Sequence, residues 1–278
     1  MKKIIVTIAS VLFSAVILSA QDLAAVTETF NNGAAALSNG EKTQALEFFQ
    51  SALTGATALG DAGKDVVANC KSVIPDLISS IAKDLFKAGD IDGAIAKLQE
   101  GLKVAGELGN EEAKTEISAL IGQFLSKKGA DLLNAKDFAG AAAVYKQVLE
   151  GNPADGKAAL RLGMALASSG DAAGAEEAYK TAAANGQEAA ANKQLGNLAL
   201  KAASAALKAK NYKEAVEKSL VAIEYNPNNA TAYKIAGTAS NLAQNKADAI
   251  KYLSKYLELS PKAADAAQIQ AAITALKK

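Results

Sequence analysis

The chain contains no histidine and no tryptophan, a single cysteine, Cys70, and only four prolines in 278 residues. Each shortage removes a class of function. Without histidine, the commonest general acid/base and metal ligand is missing, and neither a Ser-His-Asp nor a Cys-His arrangement can be assembled. One cysteine cannot close an internal disulfide or supply a multi-cysteine zinc site. Aromatic residues make up 5% of the chain, which leaves few rings on which nucleic-acid bases would stack. The scarcity of proline leaves room for long helices. No enzymatic activity and no cofactor are expected.

Charge of one sign is also missing in bulk, with 30 Lys+Arg against 29 Asp+Glu. The first 20 residues hold two of the lysines and no acid, so the remainder carries 28 against 29. A nucleic-acid binder draws most of its affinity from a basic excess, so nucleic acid is not an expected partner. What the chain does have is 50% hydrophobic residues, drawn mostly from Ala, Leu, Ile and Val. Ala and Leu, together with the abundant Lys, favour helix.

Met1-Lys2-Lys3 leads into an apolar run from Ile4 to Leu18, then Ser19-Ala20 and polar Gln21-Asp22. A basic start, an apolar stretch and small residues form the order of a secretory signal peptide, so residues 1–20 are read as a leader cleaved after Ala20. The competing reading is an uncleaved anchor, for which a run of 15 residues is short beside the roughly 20 that cross a bilayer. No second long apolar segment follows. The mature protein is expected to be exported and free of stable membrane insertion, in the periplasm if the cell has one.

Beyond the leader, a pattern repeats. Gly33, Ala45 and Phe49 recur as Gly129, Ala141 and Tyr145, as Gly163, Ala175 and Tyr179, and as Gly237, Ala249 and Leu253. Two weaker copies are Ala82, Ala94 and Leu98, and Ala203, Ala215 and Ser219; in the latter a serine stands where a large apolar residue is expected. The Ala positions 45, 94, 141, 175, 215 and 249 lie 49, 47, 34, 40 and 34 residues apart. Gly40-Glu41, Gly89-Asp90, Lys136-Asp137, Gly170-Asp171 and Lys210-Asn211 mark turns inside the copies. Pro153, Pro227 and Pro261 mark breaks between them.

This pattern resembles the tetratricopeptide repeat, a 34-residue helix-turn-helix unit, over roughly residues 23 to 262. The resemblance implies an all-α, right-handed solenoid of about six helix pairs with a C-terminal capping helix. The domain reading is a leader over 1–20 and a single repeat domain over 21–278. Its pairs fall at 23–60, 62–109, 111–152, 154–186, 187–227 and 229–260, with the cap at 261–278. Small residues recur because only Gly or Ala fits where two helices cross closely, and the large residue four positions after each Ala lies on the same helical face. The first two intervals are long, and Leu59-Gly60-Asp61 and Leu108-Gly109-Asn110 echo each other. They predict second helices extended by about two turns, closed by Gly and followed by an Asp or Asn N-cap.

In this family the face used most often for binding is the concave one, lined by the first helix of each pair. The resemblance places there Lys127 and Asn134 in the third pair, and Lys157, Arg161 and Met164 in the fourth. Lys201 and Lys208 follow in the fifth, with Lys234 and Asn241 in the sixth. Arg161 is the chain's lone arginine, and its planar fork suits a carboxylate. Lys157 and Arg161 match two positions of the clamp by which some members hold a partner's terminal carboxylate. Lys127, Ser79 and Lys83 depart from the rest of that clamp. A basic groove for an acidic segment is one reading; solvated surface charge is the other.

Three smaller features complete the reading. Cys70 is read as a buried thiol, with a reactive or intermolecularly paired thiol as the alternative. Gly151 to Lys157 has the spacing of a phosphate loop, but Ala158 replaces the required hydroxyl and no strand precedes it. Tyr145, Tyr179 and Tyr256 are placed in the core, Tyr225 and Tyr233 on a contact surface. The functional expectation is a scaffold or adaptor in the cell envelope that binds a protein or peptide. A self-associating structural subunit and a small-ligand binder stay open beside it.

Overall fold

A computed structural model describes residues 20–278, so the expected leader lies outside the described residues except for Ala20. No strand occurs among them. Thirteen α-helices follow in order: α1 (Ala20–Ser38), α2 (Lys42–Ala58), α3 (Lys64–Lys87), α4 (Ile91–Glu107), α5 (Glu111–Asn134), α6 (Phe138–Gly151) and α7 (Gly156–Ser169). The remainder are α8 (Ala172–Ala182), α9 (Glu188–Lys208), α10 (Tyr212–Tyr225), α11 (Ala230–Leu242), α12 (Lys246–Leu259) and α13 (Ala266–Leu276). The chain divides into two compact units between Phe124 and Leu125.

Local chemistry sets the helix ends. Asp90, Asp137, Asp155, Asp171, Asn229 and Asn245 each accept a hydrogen bond from the backbone N–H three residues on, satisfying a donor that the first turn leaves open. The turn inside each pair needs one left-handed residue. Gly40, Gly89 and Gly170 supply it without strain, whereas Lys136, Lys210 and Gln244 adopt φ of 61°, 62° and 62° with a side chain in place.

In the first unit, α1 packs on α2, α2 on α3 and α3 on α4. The core gathers Val26, Leu46, Phe49, Ile74, Leu77 and Ile78. The Phe30 and Phe49 rings meet at 5.0 Å, and Phe86 stacks on Phe124 at 4.0 Å. Helices α2 and α4 have 17 residues each, against 14 for α6, α10 and α12, so the second helices gain less than one turn rather than the two read from the sequence; most of the added length lies in the first helices α3 and α5, with 24 residues each against 14 for α7. Asn110 caps α5 as expected, accepting from the Ala113 N–H at 3.0 Å. Asp61 does not cap α3: a 3-10 turn over Gly60–Gly63 intervenes, and α3 starts after Gly63. Gly63 passes so close to α2 that a Cβ would lie 2.0 Å from the Ala56 carbonyl oxygen, so the chain turns before a cap can form.

Pro75 departs from the breaker role of the other prolines, sitting buried inside α3. A proline there has no N–H for the carbonyl four residues back. The Asn110 side chain donates to that carbonyl, on Lys71, at 2.9 Å.

The second unit is a run of helices each packed on the next, α6 through α13, with α9 also touching α7 and α11. Within this unit the arrangement is that of a helical solenoid. One contact recurs through both units at a separation of 16 residues. A Cβ on Gly33 would meet the Phe49 ring at 2.9 Å, on Gly129 the Tyr145 ring at 2.7 Å, and on Gly163 the Tyr179 ring at 2.5 Å. On Gly237 it would meet Leu253 at 2.7 Å. The fifth pair solves the same crossing differently. Ala203 replaces the glycine and Ser219 the large residue, both are fully buried, and the Ser219 hydroxyl donates to the Ala215 carbonyl at 2.7 Å.

Helix α13 closes the unit by burying Ile273. Three side chains hold its start. Lys234 on α11 pairs with Asp265 at 2.5 Å, the Tyr256 hydroxyl of α12 donates to Asp265 at 2.6 Å, and the Lys234 ammonium lies 5.6 Å from the Tyr256 ring centroid.

Candidate functional site

The first helices of the pairs in the second unit carry a distinct charge. Helices α7, α9 and α11 hold Lys157, Arg161, Lys193, Lys201, Lys208 and Lys234 against one acid, Glu188. The second helices α6, α8, α10 and α12 are mixed in sign, with seven lysines and eight acids. Helix period puts Lys157, Arg161, Met164 and Ser168 on one stripe of α7, and Lys193, Asn197, Lys201, Ser204 and Lys208 on one stripe of α9. Because α9 touches both α7 and α11, the three helices lie side by side. Lys193 and Asn197 were not among the residues singled out from the sequence. Stepping back from Lys201 by one and two turns of α9 reaches them.

The sequence-predicted residues divide by what they already touch. Lys157, Lys201 and Lys208 are exposed and, with Lys193, form no ion pair among the described residues. Arg161 is exposed and donates only to the Tyr145 hydroxyl, at a long 3.4 Å. Its guanidinium therefore keeps most of its donors for a partner. Met164 is 41% exposed between these cations, a large apolar side chain facing solvent. Asn134 and Asn241 are exposed near the C-terminal ends of α5 and α11.

Two of the lysines are engaged within the unit. Lys127 pairs with Asp131 one turn along α5. Lys234 pairs with Asp265, whose hydrogen bond holds the ammonium above its ordinary range. In return, Lys234 first and the Tyr256 hydroxyl second hold the Asp265 carboxyl below its usual 3.8. Lys234, expected on the inner stripe of α11, is thus spent on the start of α13.

The other predicted features resolve by packing. Tyr225 packs toward α9, where a Cβ on Gly196 would lie 3.2 Å from it. Gly156, in the phosphate-loop-like stretch, sits where a Cβ would lie 2.1 Å from the Asn185 carbonyl oxygen, and Asp155 caps α7. The glycine there serves a close helix-to-turn approach. Cys70 is fully buried, its thiol directed at the Phe49 carbonyl at 3.6 Å, and burial pushes it up to about 11. Among the described residues no helix is long and apolar enough to cross a membrane, and no three His, Cys, Asp or Glu side chains gather as a metal site.

Two tetratricopeptide-repeat family profiles match, one over residues 132–198 and the other over 200–264. No curated protein sequence matches the chain. Among solved structures, MamA from Desulfovibrio magneticus RS-1 is 18% identical, with 68% of this chain and 97% of that one covered at a TM-score of 0.37. Pseudomonas aeruginosa pilF is 16% identical over 91% of this chain and 99% of its own, at 0.34. YrrB, described as a TPR protein with an unusual peptide-binding site, is 17% identical over 75% and 96%, at 0.38. At those scores the likenesses carry no argument about binding. The family matches span α6 through α12, the helices whose small-to-large contacts and caps have just been described, and so this second unit is built of tetratricopeptide repeats.

Proposed function

We propose that the chain is a non-enzymatic adaptor that receives an acidic protein segment across α7, α9 and α11. The observation that supports this most directly is the segregation of cations: five basic residues and one acid on α7 and α9, with Lys157, Lys193, Lys201 and Lys208 in no ion pair among the described residues, while Lys234, the sixth cation, on α11, is already engaged by Asp265. On helices that carry both signs a lysine can find an acid one turn away, as Lys127, Lys180 and Lys255 do here. A stripe without such acids leaves its charge available to a partner. Tetratricopeptide repeats serve as protein-interaction scaffolds, and the Met164 side chain offers an apolar contact within the basic stripe. The basic start and apolar run of residues 1–20 argue for export and a role in the cell envelope.

The test is fluorescence anisotropy with a labelled Glu-rich peptide carrying one leucine. Each exposed charge contact contributes up to about 1 kcal/mol, so a Lys157→Ala, Arg161→Ala, Lys201→Ala variant is expected to bind roughly tenfold to a hundredfold more weakly. Binding by the natural chain should also fall steeply with salt. Equal affinity in the triple variant would place recognition elsewhere and sink the proposal.

A further inference from the structure

The near-neutral chain is made of two units of opposite charge. From Ala20 to Phe124 there are eight lysines against 15 acids, a net of −7; from Leu125 to Lys278 there are 20 basic residues against 14 acids, a net of +6. The acidic unit also keeps carboxylates in reserve. Glu28, Glu47, Asp61, Asp65, Glu112 and Glu116 are exposed and in no ion pair among the described residues. Helix α1 carries acids and no cation at all.

We infer that the acidic segment received by α7, α9 and α11 is the first unit of a second copy of this chain. The inference rests on the reading of that face as an acidic-segment site and names its occupant. The complementary surfaces lie on different units, so the contact joins unlike patches head to tail. Such a contact leaves one acidic and one basic surface free at the ends, and it propagates into a ring or a filament rather than stopping at a symmetric pair. Opposite net charge draws the copies together and orients them, while like units repel. The attraction acts over roughly 8 Å at physiological salt and reaches further as salt falls. The pairs Lys42–Asp84, Lys97–Glu100, Lys103–Glu107 and Lys114–Glu111 are satisfied inside the first unit, which leaves its unpaired carboxylates, those named above among them, to meet the second copy.

The experiment is sedimentation velocity on residues 20–278, which hold every described helix, at low, physiological and high salt. Assemblies of two or more copies are expected at roughly 20 mM salt, and single copies at roughly 500 mM, where screening is nearly complete. A basic-face variant, Lys157→Glu, Arg161→Glu, Lys201→Glu, should be single at every salt concentration. So should an acidic-face variant, Asp65→Lys, Glu112→Lys, Glu116→Lys. Mixed together, the two should form a complex, since the native first unit of the basic-face variant meets the native α7, α9 and α11 of the acidic-face variant and the two reversed faces also attract, an outcome that misfolding of either cannot produce. A natural chain that stays single at low salt overturns the inference, as does a mixture that fails to associate while both variants keep native circular dichroism. Adding the Glu-rich peptide separates this from the broader reading. If the peptide binds while the chain remains single, the acidic-segment site stands and self-recognition falls; if neither binds, both fall. Assembly that the peptide does not displace also overturns the inference, since the contact then lies off α7, α9 and α11.

Discussion

Asn110 donates its side-chain amide to the Lys71 carbonyl at 2.9 Å, the acceptor that Pro75 leaves without a helical N–H. The same side chain accepts from the Ala113 N–H and so starts α5. One residue at a helix junction thus repairs one helix and caps the next. Asn110→Ala removes both bonds and should cost about 2 kcal/mol, whereas Asn110→Asp keeps the cap and should cost about 1 kcal/mol. In a Pro75→Ala background, where the backbone N–H returns, the Asn110→Asp cost should shrink to a few tenths of that. Urea unfolding of the four-member cycle measures the coupling, and a coupling of zero would refute the repair.

The close crossing of Gly163 with Tyr179 makes a second prediction. A Cβ there would sit 2.5 Å from the ring, so Gly163→Val should destabilise the chain by about 2–3 kcal/mol through overpacking. Gly122 provides the contrast. No atom lies within 4 Å of its would-be Cβ, so Gly122→Ala should stabilise by about 0.5–1 kcal/mol, the ordinary cost of glycine in a helix. Thermal melts of the two variants should shift in opposite directions.

Lys210 and Gln244 hold left-handed turns at φ 62°. Replacing either with glycine removes a steric penalty of about 1 kcal/mol, partly offset by a more flexible unfolded chain. Each substitution should raise the melting temperature slightly, and the two together should add. A lowered melting temperature would mean that their side chains stabilise the turns in a way the geometry does not account for.

The hold on α13 should depend on pH at both ends of the scale. Asp265 is held below 3.8 by Lys234 and then Tyr256, so its contribution is present above that value and is lost as pH falls through the lowered one. Lys234 is held above 10.5 by the Asp265 hydrogen bond, so its contribution is present below 10.5 and is lost as pH rises through the raised value. The hydrogen bond to Asp265 likewise raises Tyr256 above 10.0, which places its loss on the alkaline side too. Hydrogen exchange, corrected for intrinsic rates, should show α13 loosening ahead of α11 and α12 as pH falls below 3.8. Asp265→Asn should loosen it at neutral pH and flatten the acid response.

Cys70 should be silent to thiol reagents. Fully buried and raised to about 11, it offers almost no thiolate at neutral pH. A disulfide-exchange reagent at pH 8 should label it only in denaturant, and rapid labelling of the folded chain would show that the first unit opens locally.

Much of this architecture is legible in the residues. The six recurring alanines, Ala45, Ala94, Ala141, Ala175, Ala215 and Ala249, are all fully buried. The glycines twelve residues earlier in the clear copies face the large residues named for them. Such features follow from short-range rules, since helical period, caps and the size limit at a crossing act within some 16 residues of chain. The stripe of cations on α7 and α9 was also visible, because lysines four and seven apart share a helical face.

Other features turned on contacts that no local pattern announces. Lys234 reads as a free surface lysine until Asp265, 31 residues on, is brought against it. That Pro75 can sit inside α3 depends on a side chain 35 residues away, which satisfies the Lys71 carbonyl. Lys127 belongs to the predicted stripe yet is paired with Asp131, a choice between neighbours that spacing alone leaves open. Ser219 looked like a defect and is a buried hydroxyl returned to its own helix, opposite an alanine in place of glycine. Helix formation, most of the caps and the small residues at the crossings could be read from the chain alone, because those are properties of neighbours along it; the start of α3, displaced from Asp61 to Gly63, could not. Which charges are consumed internally and which remain for a partner was settled only by the folded arrangement, because an ion pair needs its two groups within about 4 Å in space, whatever their separation along the chain.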